Sequence, residues 1–224
     1  MTEAEWLVCP EPISMLESLG GTLSQRKLLR FSCACCRRIW KLLIRDCRRI
    51  VEFVEAHADK CASGEAVQLA ATRADEAFKS IKWSPLSSPP PNAMAAFAVR
   101  AMLTRTEASF FAVEPHAKFA IDTASSAADA TRNAFAERFD QAKLLRDIFG
   151  NPFRPVALDP AWLTEAAVGI ARGIYDDRAF ERMPILADAL QDAGCENADI
   201  LTHCREAGVH VRGCWVVDLV LGKS

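Results

Sequence analysis

Cysteine and histidine are concentrated near the C-terminal end of the chain, where their side chains could bind a metal ion. Five of them lie within twenty residues of one another: Cys195, His203, Cys204, His210 and Cys214. Thiolate sulfur and imidazole nitrogen are ligands that suit zinc. His210 and Cys214 are four residues apart and would share one face if this segment is helical. Cys195 with either His203 or Cys204 would then complete a tetrahedral set.

The same five residues can also be explained without a metal. The segment contains no Cys-x-x-Cys pair and fits no familiar zinc signature. Free cysteine is commonly buried as a small apolar side chain, and Cys204 and Cys214 both have apolar neighbours. We therefore expect no cofactor by default. The alternative is a zinc site, for which the candidate ligands are Cys195, His203, His210 and Cys214.

A second group of cysteine and histidine lies nearer the N-terminus. Cys33 and Cys36 form a Cys-x-x-Cys pair, and His57 and Cys61 follow it. The two pairs would meet only if the chain reverses near Asp46, because a continuous helix would hold them about 30 Å apart. The unbroken helical pattern of apolar residues favours buried core cysteines over a metal site here.

Nothing in the chain marks a catalytic site. There is no Gly-x-Ser-x-Gly sequence, phosphate-binding loop, dinucleotide fingerprint or His-Glu-x-x-His motif. A cysteine, a histidine and Asp199 or Asp218 could be combined on paper, but any chain with nine cysteines and four histidines allows this. The sequence leaves enzymatic activity open and favours a non-catalytic protein.

Positive charge is concentrated in residues 26–49, which hold nine Lys or Arg and the single acid Asp46. This local charge of +8 leaves about −10 on the rest of the chain, since the total is −2. Such a face could bind phosphates or an acidic protein surface. The favoured alternative is that it pairs with the acidic helices of the same chain. The candidate partner-binding residues are Arg30, Arg37, Arg38, Lys41 and Arg45.

Helical periodicity recurs throughout the chain and alternating strand patterns are almost absent, which predicts an all-α multi-helix bundle. The predicted parts are residues 1–83 with the basic amphipathic helix, residues 92–149 with long Ala-rich helices, and residues 150–224 with shorter helices. Proline-rich connectors separate them. The sequence allows either one compact unit, which we favour, or two helical halves.

Several helix boundaries follow from the pattern. Residues 24–61 form either one helix or two helices broken near Asp46, and the sequence does not decide between them. Residues 116–149 are predicted as one long helix. Asp159 and Asn197 are predicted N-caps of later helices. The terminal segment CWVVDLVLG is predicted as a buried helix, with a strand as the alternative.

Two long blocks of sequence carry a resemblance. The block LLRDIFGNPFRPVALDPAWL in residues 144–163 and the block HVRGCWVVDLVLGK in residues 210–223 are similar to an uncharacterised bacterial protein family that carries them nearly unchanged. The opening residues WLVCPEPISMLESLG and RKLLRFSCACCRRIW also resemble that family. Residues 62–140 show no such likeness. The family has no activity known to us, so the resemblance implies kinship and a bacterial source without a function.

The remaining features predict a cytoplasmic protein. No apolar run reaches the eighteen or so residues that span a bilayer, the first residues are acidic rather than basic, and nine cysteines fit a reducing compartment.

The favoured function is an interaction or adaptor module that binds a protein partner. The alternatives are zinc binding through the C-terminal cluster and nucleic-acid binding through residues 26–49. We expect no membrane association, and a homodimer is an open alternative.

Overall fold

The computed structural model describes residues 1–20, 24–59, 64–84, 87–103 and 117–223. Within these ranges the chain is all-α and has no strand, which confirms the predicted fold class. No helix of the described part is long and apolar enough to cross a membrane. The helices of the described part are α1 (Glu3–Val8), α2 (Pro12–Leu19), α3 (Gln25–Arg38), α4 (Arg45–His57), α5 (Gly64–Ser80), α6 (Pro91–Leu103), α7 (Lys118–Asp129), α8 (Ala134–Phe149), α9 (Glu165–Asp177), α10 (Met183–Asp192), α11 (Ala198–Arg205) and α12 (Trp215–Val220).

The chain divides into two compact units, Met1–Leu145 and Arg146–Ser224. The first unit contains α1 to α7 and most of α8. The second contains the last residues of α8 and the helices α9 to α12.

In the first unit, the described residues 24–59 of the predicted segment 24–61 form two helices rather than one. α3 ends at Arg38, a single 3-10 turn follows over Trp40–Leu42, and α4 begins at Arg45. The side chain of Arg48 donates to the carbonyl oxygen of Trp40 at 3.1 Å, which anchors the turn to the first turn of α4. Asp46 lies in that first turn, while Ile44 occupies the N-cap position.

The prediction of one helix over residues 116–149 is wrong. α7 ends at Asp129, and α8 begins at Ala134 after a short connection in which the Asn133 side chain accepts a hydrogen bond from the Ala136 N–H at 3.1 Å. The buried Gln141 side chain donates to the Ala124 carbonyl oxygen at 3.0 Å. α8 therefore turns back toward α7, because two residues 17 positions apart on one continuous helix would lie about 25 Å apart.

The second unit is built around its own apolar core. α9 packs against α10 and α12, and α11 packs against α10. Fully buried side chains include Ile174, Leu186, Leu190 and Ile200, and Val217 of α12 joins them. The predicted C-terminal helix is thereby confirmed, and the strand alternative is wrong.

Of the two predicted N-caps in this unit, one begins an α-helix and the other begins a 3-10 turn. Asn197 caps α11 as predicted, because its side chain accepts from the Ile200 N–H at 3.1 Å. Asp159 accepts from the Ala161 N–H at 2.9 Å but begins only a 3-10 turn. The helix that follows, α9, is capped instead by Thr164.

Candidate metal centre

Four side chains from four places in the second unit converge on one point. Asp147 lies in the last turn of α8, His203 in the last turn of α11, His210 in the loop that follows, and Cys214 at the N-cap position of α12. Each of these side chains offers one donor atom, and the four atoms all lie within 4.8 Å of one another. The group therefore has the composition and the compactness of a metal-binding site.

The distances between the donor atoms are close to those of a tetrahedral zinc site. His203 Nε2 lies 3.2 Å from Asp147 Oδ1 and 3.2 Å from Cys214 Sγ. His210 Nδ1 lies 2.7 Å from Asp147 Oδ1 and 4.0 Å from Cys214 Sγ. Ligand atoms around a tetrahedral zinc ion lie about 3.3 to 3.6 Å apart, given the usual Zn–N, Zn–O and Zn–S bond lengths. Each of these four distances lies within about 0.6 Å of that range.

Asp147 is a buried carboxylate with three hydrogen-bond donors around it. Besides the two imidazoles, the backbone N–H of Val211 donates to Oδ2 at 2.9 Å. Burial raises the pKa of the Asp147 carboxyl, but the hydrogen bonds from His203 and His210 outweigh this effect and lower the pKa below its usual value. The hydrogen bonds around Asp147 therefore favour its ionised form although the carboxyl is buried.

Cys214 is a fully buried free thiol. Burial raises the pKa of this thiol well above its usual value, and the neighbouring Asp147 carboxylate raises it further. The thiol is consequently a poor nucleophile as it stands. A cation bound between Asp147 and Cys214 would favour the thiolate, because metal binding and deprotonation of a thiol are coupled.

The arrangement differs from a Cys-His-Asp catalytic triad. In a triad the cysteine and the carboxylate contact opposite nitrogens of the histidine ring. Here Asp147 Oδ1 and Cys214 Sγ both approach the same nitrogen of His203, which is Nε2. The nearest approaches of His210 also involve a single nitrogen, Nδ1. Both imidazoles thus direct one nitrogen to a common centre, which is the geometry of ligands around an ion.

The second nitrogen of His210 has an unusual environment. His210 Nε2 is buried and has no hydrogen-bond partner among the described residues. Most metal-binding histidines donate this second N–H to a carboxylate, a carbonyl or a water. The ring of His210 is instead positioned by its Asp147 contact and by an edge-on contact with His203, whose ring centroid lies 4.9 Å away.

The structure brings together three of the four predicted metal ligands, His203, His210 and Cys214. The fourth, Cys195, is not a member of the group and lies in the apolar core after α10. Its place is taken by Asp147, which the sequence reasoning missed. The prediction that His210 and Cys214 share a helix face is also wrong, because His210 precedes α12 in a loop.

The second predicted group has no counterpart in the described residues. Cys33 and Cys36 are buried in α3, and His57 places its Nδ1 at 2.8 Å from the Phe53 carbonyl oxygen within α4. Cys61 lies outside the described residues.

Three of the five predicted partner-binding residues take part in ion pairs within the first unit. Arg30 contacts Asp59 at 2.8 Å, Arg37 contacts Glu55 at 2.5 Å, and Arg38 contacts Glu137 at 2.7 Å and Asp140 at 2.5 Å. Burial lowers the pKa of the Arg38 guanidinium, but its bonds with Glu137 outweigh this and raise it. The remaining two residues, Lys41 and Arg45, are exposed. The contacts of Arg30, Arg37 and Arg38 are those of the favoured alternative, in which this segment pairs with acids of the same chain.

Comparisons of the chain with protein-family models, with curated proteins and with solved structures found no match.

Proposed function

We propose that the C-terminal unit, residues 146–224, binds one divalent transition-metal ion, zinc by preference. The proposed ligands are Asp147 Oδ1, His203 Nε2, His210 Nδ1 and Cys214 Sγ. The observation that carries the proposal is the convergence of these four donor atoms, from four separate places in the chain, within 4.8 Å.

The chemistry of the donors decides which ions suit the site. Two imidazole nitrogens and one sulfur are poor ligands for Mg²⁺ and Ca²⁺, which prefer oxygen. The same set suits Zn²⁺, and Co²⁺ is a spectroscopic substitute with the same preferred geometry. The carboxylate of Asp147 and the thiolate of Cys214 would together balance the two positive charges of the ion.

The positions of the ligands support a structural role for the metal. Asp147 lies in the last turn of α8, His203 in the last turn of α11, and Cys214 begins α12, so one ion would join the end of α8 to two helices that are distant from it in sequence. Cross-links of this kind stabilise a small unit whose core is limited. The function as a protein-interaction module and the alternative of nucleic-acid binding stay predictions from the sequence, as do the bacterial family and the cytoplasmic location.

The experiment is a metal analysis of reconstituted protein and of two matched variants. Metal-free protein is given excess Zn²⁺, passed through a desalting column and analysed by native mass spectrometry. We expect one zinc ion per chain in the wild type, loss of that ion in Cys214→Ala, and its retention in Cys195→Ala, which removes a buried thiol of the same unit that lies outside the group. Wild-type protein that retains no zinc, or Cys214→Ala protein that retains it fully, would contradict the proposal.

A further inference from the structure

The four proposed ligands differ sharply in their exposure to solvent. The side chains of Asp147 and His210 are 4% and 7% exposed, and Cys214 is fully buried. The side chain of His203 is 20% exposed. Three ligands therefore lie inside the unit, and His203 alone of the four forms the boundary between the site and solvent.

The ligands also differ in how firmly the protein holds them. Asp147 is fixed by the Val211 N–H, which donates to Oδ2 at 2.9 Å. Cys214 is fixed by its backbone, since its N–H donates to Val211 and its carbonyl oxygen accepts from Asp218, both at 2.9 Å. Neither histidine side chain has such an anchor among the described residues, because the hydrogen-bond contacts of His203 Nε2 and His210 Nδ1 are with the donor group itself and His210 Nε2 has no partner. The two histidines therefore differ in their exposure to solvent and not in how they are anchored.

The remaining contacts of the His203 ring are with two other rings. Its centroid lies 4.9 Å from that of His210 and 5.2 Å from that of Trp215. Ring contacts of this kind are less directional than a hydrogen bond. In most metal sites the second nitrogen of a histidine ligand is held by an acceptor, which fixes the ring orientation. His203 Nδ1 has no such acceptor in the described part of the chain.

We infer that His203 is the exchangeable ligand of the metal site, and that a small monodentate Lewis base from solution can take its place on the ion. The inference rests on the proposed function, since it requires a bound metal. Asp147, His210 and Cys214 then form a buried three-ligand set, and the solvent-facing position of His203 is the place where a ligand enters.

The charge of the buried set defines the class of ligand. One carboxylate, one thiolate and one neutral imidazole around a divalent ion sum to zero. A neutral nitrogen base such as imidazole replaces His203 without changing that charge. A singly charged anion such as azide adds one buried negative charge beside Asp147, and a dianion such as hydrogen phosphate adds two, which burial opposes strongly. Binding should therefore fall in the order imidazole, azide, hydrogen phosphate.

The test uses full-length protein loaded with Co²⁺, whose visible spectrum reports coordination and whose near-ultraviolet spectrum reports the thiolate–metal bond. The variants are His203→Gly, His210→Gly and the matched control His57→Gly, which removes a histidine of the other unit. His203→Gln is prepared as well, so that the test does not depend on the folding of the glycine variant. Circular dichroism checks the helix content of each protein before loading.

We expect His203→Gly to bind Co²⁺ with the thiolate band intact and more weakly than wild type. Added imidazole should then shift its visible bands in a saturable way and restore the wild-type spectrum. The control should match wild type, and His210→Gly should lose the Co²⁺ band whether or not imidazole is present.

Two results would overturn the inference while leaving the proposed function in place. One is complete loss of Co²⁺ from folded His203→Gly and His203→Gln proteins, which would make His203 as indispensable as His210. The other is a visible spectrum of loaded His203→Gly that does not respond to imidazole. A wild-type protein with no thiolate–metal band would instead overturn the proposed function.

Discussion

Replacing Asp147 by asparagine tests the role of the buried carboxylate without any metal. The carboxylate accepts hydrogen bonds from His210 Nδ1 at 2.7 Å, His203 Nε2 at 3.2 Å and the Val211 N–H at 2.9 Å. The amide has one acceptor atom and one donor atom, so at least one of these three donors faces an N–H group. Losing a hydrogen bond to a charged group removes about 1.5 to 3 kcal/mol, and a buried donor left without a partner costs about 1 to 3 kcal/mol. We therefore expect Asp147→Asn to destabilise the C-terminal unit by about 2 to 5 kcal/mol.

The measurement is amide hydrogen exchange of metal-free, reduced protein, read by mass spectrometry for peptides from α9 and α12. This readout is local, which matters because a chain of two units need not unfold in a single step. The expected destabilisation corresponds to exchange about 30-fold to several thousand-fold faster in these helices.

The matched control is Asp192→Asn, the same chemical change at an exposed position in the last turn of α10. Its effect should stay within about 0.5 kcal/mol. The reasoning is refuted if the exchange rates of Asp147→Asn in α9 and α12 equal those of the control.

Two further predictions concern a thiol and a glycine. Burial raises the pKa of Cys47 to about 11. Alkylation of this thiol by iodoacetamide at pH 7.5 should therefore be far slower in native than in unfolded protein. Equal alkylation rates of the native and unfolded protein, measured by mass spectrometry, would contradict the burial of Cys47. Gly150 has a φ of +67°, and a Cβ there would lie 3.1 Å from Trp215 Cγ. Gly150→Ala should therefore destabilise the unit by at least about 1 to 2 kcal/mol, whereas Gly169→Ala, in α9 with open space around it, should be neutral or stabilising by up to about 1 kcal/mol. Thermal unfolding compares the two, and an equal change in Tm would contradict the strain argument.

The fold class could be predicted from the sequence because helical periodicity and capping residues act locally. Asn197 is an example, since the cap and the helix it begins are separated by a few residues only. The break between α7 and α8 had one local signal, Asn133, whose side chain accepts from the Ala136 N–H at the start of α8. That signal was weak, because residues 130–133 contain neither Gly nor Pro and alanine favours a helix wherever it occurs. The Gln141–Ala124 hydrogen bond across the turn is a tertiary contact that the sequence does not reveal.

The metal site could be predicted in part because three of its ligands lie close together in sequence. His203, His210 and Cys214 span twelve residues, whereas Asp147 is 56 residues before the first of them. The available signal was an acid set among the apolar residues Leu144, Leu145 and Ile148, which are buried. A buried charge requires partners, and that requirement does not reveal which distant residues supply them.

Cys195 shows the opposite error. Its residue type and its position near the other candidates favoured it as a ligand, but the side chain packs among apolar residues of the core. Free cysteine behaves as a small apolar residue, and spacing in the sequence does not distinguish the two roles.

Zinc K-edge X-ray absorption of protein reconstituted with one equivalent of Zn²⁺ tests the proposed metal site, because it reports the type and distance of every ligand. We expect a four-coordinate ion with one sulfur at about 2.3 Å and three nitrogen or oxygen ligands at about 2.0 to 2.2 Å. Cys214→Ala protein should lose the sulfur contribution, and Cys195→Ala protein should keep it. A shell made only of nitrogen and oxygen ligands in the wild type, or a sulfur contribution that persists in Cys214→Ala, would contradict the account.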